Sequence, residues 1–205
     1  MTKTIELERG KVYHIYNRGI NSENIFKEVE NYPYFLKLYS NHIHPIVDTY
    51  AYCLLKNHFH LLVRIKEIAE IEKYNEILPI ESPKIKIIAP HQSFSNLFNA
   101  YTKSINKRYN RTGTLFERPF KRKSIDSNTY LKNVTKYIHY NPVNHGFCSH
   151  PIEYAWSSYE SFSVEKPTKL SKNNIFDIFE GKENFDNFHA GFEDFDELEN
   201  LIIFD

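Results

Sequence analysis

Cysteine is scarce in this chain, which has Cys53 and Cys148 among 205 residues. With no CxxC spacing and at most one disulfide between them, they exclude a disulfide framework and read as two ordinary thiols. Long apolar runs are missing too: nothing approaches the roughly 20 residues needed to cross a bilayer. Residues 1–11 are charged and lack the apolar stretch of a signal peptide. The expectation is a soluble, cytoplasmic protein with no membrane partner. No internal repeat is visible, and there is no net charge, with 26 basic against 26 acidic residues. What the chain does hold is 41% hydrophobic and 16% aromatic content, enough for a real core in one sizeable domain with appendages, or at most two small domains.

The zero net charge conceals a division. Residues 166–205 carry Lys166, Lys169, Lys172 and Lys182 against ten acidic residues, which leaves 22 basic and 16 acidic residues before them. The densest basic stretch, residues 103–123, holds Lys103, Lys107, Arg108, Arg111, Arg118, Lys121, Arg122 and Lys123, opposed only by Glu117. Interleaved with Tyr101, Tyr109, Phe116 and Phe120, it suits a polyanion whose bases can stack, or it is simply a solvated charged face.

Residues 12–17 have the β-branched and aromatic content of a strand, closed by a turn at Arg18-Gly19. Tyr34, Phe35, Leu38 and Tyr39 recur at helical spacing over residues 30–42. Residues 47–55 and 58–65 are two strand-like runs joined by Lys56-Asn57, so short a link that they must be antiparallel neighbours. Residues 66–90 keep no sustained period and read as an excursion with a short helix near 71–78. A helix over 93–109 follows, with Phe94, Leu97, Phe98, Tyr101 and Ile105 on one face, and then an extended run over 114–124. This order predicts an α+β fold, a ferredoxin-like split βαβ antiparallel sheet with helices on one face, plus a C-terminal extension. Capping residues at 126–129 start a further helix that the pattern stops at Asn141-Pro142. A closing turn is expected at Trp156-Ser157-Ser158-Tyr159. The domain reading is 1–164 for the main body and 165–205 for the acidic extension, whose Phe176, Phe179, Phe185, Phe188, Phe192 and Phe195 suit short docked helices.

His58-Phe59-His60 carries the sharpest chemical signal. Side chains two apart on a strand share a face, so both imidazoles can reach one cation while Phe59 anchors the opposite layer. A lone His-x-His is also common as plain structure. Tyr137 and Asn141 supply the complement: four residues apart on a helix, they lie one turn above each other. A carboxamide oxygen on the cation would then set a phenol beside it, pairing a Lewis acid with a nucleophile. Tyr140 is a rival nucleophile on another side of that helix, and His139 lies on yet another face. His14, Asn17 and Arg18 end the first strand, where they either bind phosphate or merely form a turn.

Five segments in order carry a resemblance: Tyr13-His14-Ile15-Tyr16-Asn17-Arg18-Gly19, Asn57-His58-Phe59-His60-Leu61-Leu62-Val63, Gly113-Thr114-Leu115-Phe116-Glu117-Arg118-Pro119-Phe120, Tyr137-Ile138-His139-Tyr140-Asn141-Pro142-Val143 and Trp156-Ser157-Ser158-Tyr159. Over most of residues 10–160 the chain resembles the single-tyrosine HUH transposases, and within them the REP-associated branch. The resemblance implies cleavage and rejoining of single-stranded DNA beside a hairpin, through a 5′-phosphotyrosine. By position, Tyr137 would be the nucleophile, His58, His60 and Asn141 the ligands of a Mg2+ or Mn2+ ion, and Arg18 with the basic stretch the DNA contacts. Imidazoles alone favour a transition metal, so magnesium rests on the resemblance. A hairpin-binding relative that no longer cuts is the alternative, and a phosphodiesterase that uses water is a third reading. Monomer and homodimer both stay open, and the acidic extension is expected to shield the basic stretch when DNA is absent.

Overall fold

The computed structural model describes residues 5–191. Its centre is a four-stranded antiparallel sheet of β1 (Val12–Arg18), β2 (Val47–Leu54), β3 (His58–Ile65) and β4 (Lys121–Ile125), in the order β2-β3-β1-β4. This is the ferredoxin-like arrangement, in which the two central strands are the first and third of the chain. The helices are α1 (Asn31–His42), α2 (Ile68–Ile77), α3 (Pro90–Arg108), α4 (Asn128–Asn144), α5 (Tyr159–Ser163), α6 (Lys172–Ile178) and α7 (Lys182–Ala190).

Strand alternation sorts the sheet into two cores. Tyr13, Ile15, Phe59, Leu61 and Val63 point to the face covered by α1 and α3, where they pack with Phe35, Phe94, Leu97, Phe98, Tyr101 and Ile105. The apolar row of α3 falls at the predicted spacing; in α1 Phe35 and Tyr39 do, whereas Tyr34 is exposed and Tyr32 is buried in its place. The other face is covered by α4 and the extension: Ala51, Cys53, Leu62 and Ile125 meet Leu131, Val134, Tyr137 and Ile138 of α4, with Phe162, Ile175, Phe179 and Phe185 closing the layer. The extension thus docks as short helices through its phenylalanines. Phe192, Phe195 and the acidic residues from Glu193 onward lie outside the described residues. Cys53 and Cys148 are free thiols.

Three local expectations need correction. The extended run at 114–124 pairs as β4 only over Lys121–Ile125; before it the chain crosses the end of β1, touching it at the Gly19–Phe116 bridge. Pro119 has no N–H for a ladder, so regular pairing cannot run through it. Helix α4, capped at its start by the Ser127 side chain accepting from the Tyr130 N–H, continues through Pro142 to Asn144. It ends one turn later in a Schellman closure, with the Phe147 N–H donating to the Pro142 carbonyl and the Gly146 N–H to the Val143 carbonyl. Gly146 supplies the left-handed residue at φ 72°. The third is the basic stretch, which divides among several surfaces.

Trp156-Ser157-Ser158-Tyr159 closes the body by adding to the edge of β2. The Leu54 N–H donates to the Trp156 carbonyl and the Ser158 N–H to the Tyr52 carbonyl. Trp156 stacks on Tyr32, with ring centroids 4.6 Å apart.

Candidate active site

Register alone assembles the floor of the site. On the face of the sheet that meets α4, β1 and β3 pair His58 with Arg18 and His60 with Tyr16, while β1 and β4 pair Tyr16 with Lys121 and His14 with Lys123. A row of imidazoles, a phenol and cations therefore lies across three strands. Phe59 enters the opposite core with no exposed surface, as alternation requires. The hairpin that presents His58 is pinned to the end of β1, because the Gly19 N–H donates to the Asn57 carbonyl at 2.8 Å. Gly19 has no alternative here: a Cβ would stand 1.9 Å from the Glu23 carbonyl oxygen.

Helix α4 brings its two residues down onto this floor. The Tyr137 ring stands edge-on to His60 at 5.4 Å and to His14 at 6.4 Å between centroids. One turn on, Asn141 Oδ1 lies 3.2 Å from His58 Nε2. The two residues four apart on a helix and the two residues two apart on a strand thus meet in one place, along a cleft of about 280 Å³ lined by Tyr16, Arg18, His58, His60, Tyr137 and His145 among others. Tyr140 points elsewhere, its hydroxyl donating to the His189 carbonyl at 2.7 Å. His139 is fully buried against α7 and is no DNA contact: its ring nitrogens meet His189 and Ser158 Oγ, both at 2.9 Å.

The protonation states follow from burial. Desolvation pushes His14 down to about 3 and His58 down to about 4, and holds His60 well below the ordinary imidazole value. All three are neutral at pH 7, so each ring has one N–H and one lone pair. His14 Nε2 and His60 Nδ1 share one hydrogen bond at 2.9 Å, while His60 Nε2 is buried with no hydrogen-bond partner. If His60 Nδ1–H donates to His14, the orphaned Nε2 presents its lone pair to the cleft, the tautomer a metal ligand needs. His58 contacts an oxygen at each nitrogen, Asn57 Oδ1 at 2.8 Å through Nδ1 and Asn141 Oδ1 through Nε2. A neutral ring can donate only one of these bonds. With the proton on Nδ1, a second lone pair faces the Asn141 oxygen across 3.2 Å. That spacing is close to the roughly 3 Å between neighbouring ligands of an octahedral ion with bonds of about 2.1 Å.

These residues fit a divalent cation by the orphaned His60 Nε2 and by the His58 nitrogen and Asn141 oxygen that face each other, though not by charge. Among the described residues no group of three His, Cys, Asp or Glu side chains is placed to hold a metal. The donor set is two imidazoles and one carboxamide, a set richer in nitrogen than Mg2+ ordinarily takes.

The sequence singled out His58, His60, Asn141 and Tyr137, which the structure brings together, but left His14 between two readings and passed over Tyr16 and His145. His14 orients His60, Tyr16 stacks on both imidazoles, and His145 lies 5.0 Å from the His58 ring. The signal for the first two is visible in hindsight: positions 14, 16 and 18 alternate on a strand that neighbours 58, 60 and 62 in any ferredoxin-like sheet.

The basic stretch divides. Lys121 and Lys123 lie on the site face beside His14 and Tyr16, and Arg18 enters the cleft, where its Nε donates to Glu117 at 2.6 Å. Arg118 and Arg122 belong to a separate groove against α3. Lys103 and Lys107 are exposed on α3 itself. Arg108 and Arg111 are already engaged, pairing with Glu28 at 2.5 Å and Glu23 at 2.6 Å. A linear run of charge gave no warning of this, because helix, loop and strand send consecutive residues to different surfaces.

No family model matches the chain, and neither does any curated protein. Among solved structures it is similar to a REP-associated tyrosine transposase bound to a REP hairpin, with a TM-score of 0.59 and 12% identity over 82% of this chain and 89% of that one. At that identity the likeness shows that the two chains share a fold.

Proposed function

We propose that this chain is a single-tyrosine transposase of the HUH type, which cuts and rejoins single-stranded DNA beside a hairpin. The observation that carries the reading is the convergence of His58, His60 and Tyr137 in one cleft with Asn141 in contact with His58 behind it, on a fold shared with a transposase bound to hairpin DNA. His58, His60 and Asn141 would hold a Mn2+ or Mg2+ ion, which would supply a Lewis acid for the scissile phosphate.

The chain's own residues do the rest. Lys121 at the cleft supplies positive charge that draws the DNA backbone in, and a phosphate would compete with Glu117 for Arg18. The Tyr137 hydroxyl loses its proton to water in the cleft and its oxygen forms a bond to phosphorus. The bond from phosphorus to the 3′ oxygen breaks, and that oxygen leaves as a hydroxyl after taking up a proton. The tyrosyl ester keeps the bond energy of the phosphodiester, so a second 3′ hydroxyl reverses the step and joins new ends. His14 holds His60 in its tautomer throughout. All four groups come from one chain.

The test is an adduct resistant to SDS on stem-loop oligonucleotides copied from inverted repeats beside the coding sequence. It should form with Mn2+ and vanish with EDTA and in Tyr137→Phe; an adduct that survives Tyr137→Phe removes the nucleophile assignment. One observation favours the alternative of binding without cleavage: Tyr137 is only 1% exposed, so it has to be uncovered to reach a phosphate. Undiminished hairpin affinity with no adduct under any metal would select that alternative.

A further inference from the structure

Beside the site cleft lies a second concavity of about 480 Å³, between α3 and the segment that leads into β4. The two hollows share a wall: Asn17 and Glu117 line both. Asn17 is locked in that wall, its side-chain nitrogen donating to the Glu117 carbonyl at 3.2 Å and its oxygen accepting from the Arg18 N–H at 2.9 Å.

The lining has the composition of a nucleotide seat. Phe98, Phe116 and Phe120 form an apolar floor. Asn99 and Thr102, one helical step apart on α3, offer amide and hydroxyl groups at the rim. Arg118 reaches across to Asn99 with a contact of 3.5 Å. Arg122 lies deeper, its guanidinium 4.2 Å from the centre of the Phe120 ring. Its Nε is buried without a hydrogen-bond partner, and no carboxylate pairs with it among the described residues. A cation left without an anion in a half-buried apolar setting is costly to the fold, and an incoming phosphate would satisfy it with a charge-assisted bond. Arg108 and Arg111, in the same basic stretch, are neutralised by glutamates, so the missing counter-ion at Arg122 is local to the groove.

We propose that this groove is a second DNA subsite, which seats an unpaired nucleotide of the strand whose scissile phosphate occupies the site cleft, with its backbone phosphate on Arg122 and its base over the phenylalanine floor. The inference rests on the proposed DNA function and adds where the strand runs: past Asn17 and Glu117, between α3 and the lead into β4.

The experiment measures fluorescence anisotropy of a labelled oligothymidine decamer with the full chain, across a range of salt. Arg122→Gln should weaken binding about tenfold and lower the salt slope by about one. Because Arg122 is partly buried, a second variant guards against misfolding: Asn99→Glu, at an exposed rim position, places a carboxylate opposite the two arginines and should weaken binding at least as much. Wild-type affinity in both variants overturns the subsite, as does failure of the wild type to bind the decamer. The adduct assay reads the reaction separately. Adduct formation with unchanged decamer affinity in both variants sinks the groove alone, whereas the predicted loss of affinity without any adduct sinks the cleavage chemistry and leaves the groove standing.

Discussion

Two pairs of buried histidines lie on opposite sides of α4, and they are alike in every respect but one. His14 and His60 touch at 2.9 Å, and so do His139 and His189. All four are excluded from water and pushed well below the ordinary imidazole value by desolvation. In the second pair every ring nitrogen is satisfied: His139 reaches Ser158 Oγ, and the remaining nitrogen of His189 donates to the Phe185 carbonyl at 2.8 Å. In the first pair His14 Nδ1 and His60 Nε2 have no partner, and His60 also lines a cleft. Burial and a lowered pKa are common to both pairs; of the two, only the pair beside the cleft has an incomplete hydrogen-bond account.

The contrast can be broken most severely by cutting the chain after Val164. That removes Ile175, Phe179 and Phe185, each at most 1% exposed in the second core, at about 1.5–3 kcal/mol apiece. Set against a total stability of about 5–15 kcal/mol, the loss should leave an unfolded or aggregated product in circular dichroism and sedimentation. The expected release of a basic surface from an acidic shield would then have no folded protein in which to appear.

Single substitutions sharpen it. His60→Ala should lower adduct formation at least a hundredfold while melting within about 1–3 kcal/mol of the parent, the cost of orphaning His14. His189→Ala should show the converse, a loss of about 2–4 kcal/mol in denaturant with adduct formation per folded molecule retained. Mn2+ at a hundred times its Kd should raise the stability of the parent and of His189→Ala by about 2.7 kcal/mol and leave His60→Ala unmoved, as followed by thermal melting.

Acid should act on the structural pair too. His189 is held near 4 against about 6.5 when unfolded, so the unfolded chain takes up its proton first. Its contribution is intact above pH 6.5 and is lost as the pH falls towards 4, by about 3 kcal/mol. His189→Leu should flatten that part of the profile in urea titrations between pH 7 and 4; an unchanged slope would assign the acid sensitivity to other groups. The smallest effect belongs to Tyr140→Phe. It removes one hydrogen bond to the His189 carbonyl, worth about 1 kcal/mol, and should leave adduct formation intact, which separates Tyr140 from Tyr137.

Much of the fold was legible because periodicity is a local property. The strands at 12–18, 47–54 and 58–65 and the helices α1 and α3 follow from spacing alone, since Phe94, Leu97, Phe98, Tyr101 and Ile105 can share one face only on a helix. The fourth strand was overextended because residues 114–120 are aromatic and apolar, yet they are buried in a crossing segment and not in a ladder. The stop at Pro142 failed because proline forbids only one hydrogen bond to the preceding turn, and a helix one turn from its end tolerates that loss.

Of the site, the amino-acid order by itself determined two pairs: His58 with His60 by the twofold repeat of a strand, and Tyr137 with Asn141 by the turn of a helix. Neither pair contains information about the other. Packing α4 on the sheet decided that they meet, because Leu131, Val134 and Ile138 bury against Ala51, Cys53 and Leu62 and so fix the height and rotation of the helix. Strand pairing decided the rest: it set His14 and Tyr16 beside His60 and sent Arg122 and Lys123, neighbours in sequence, to opposite faces of the sheet.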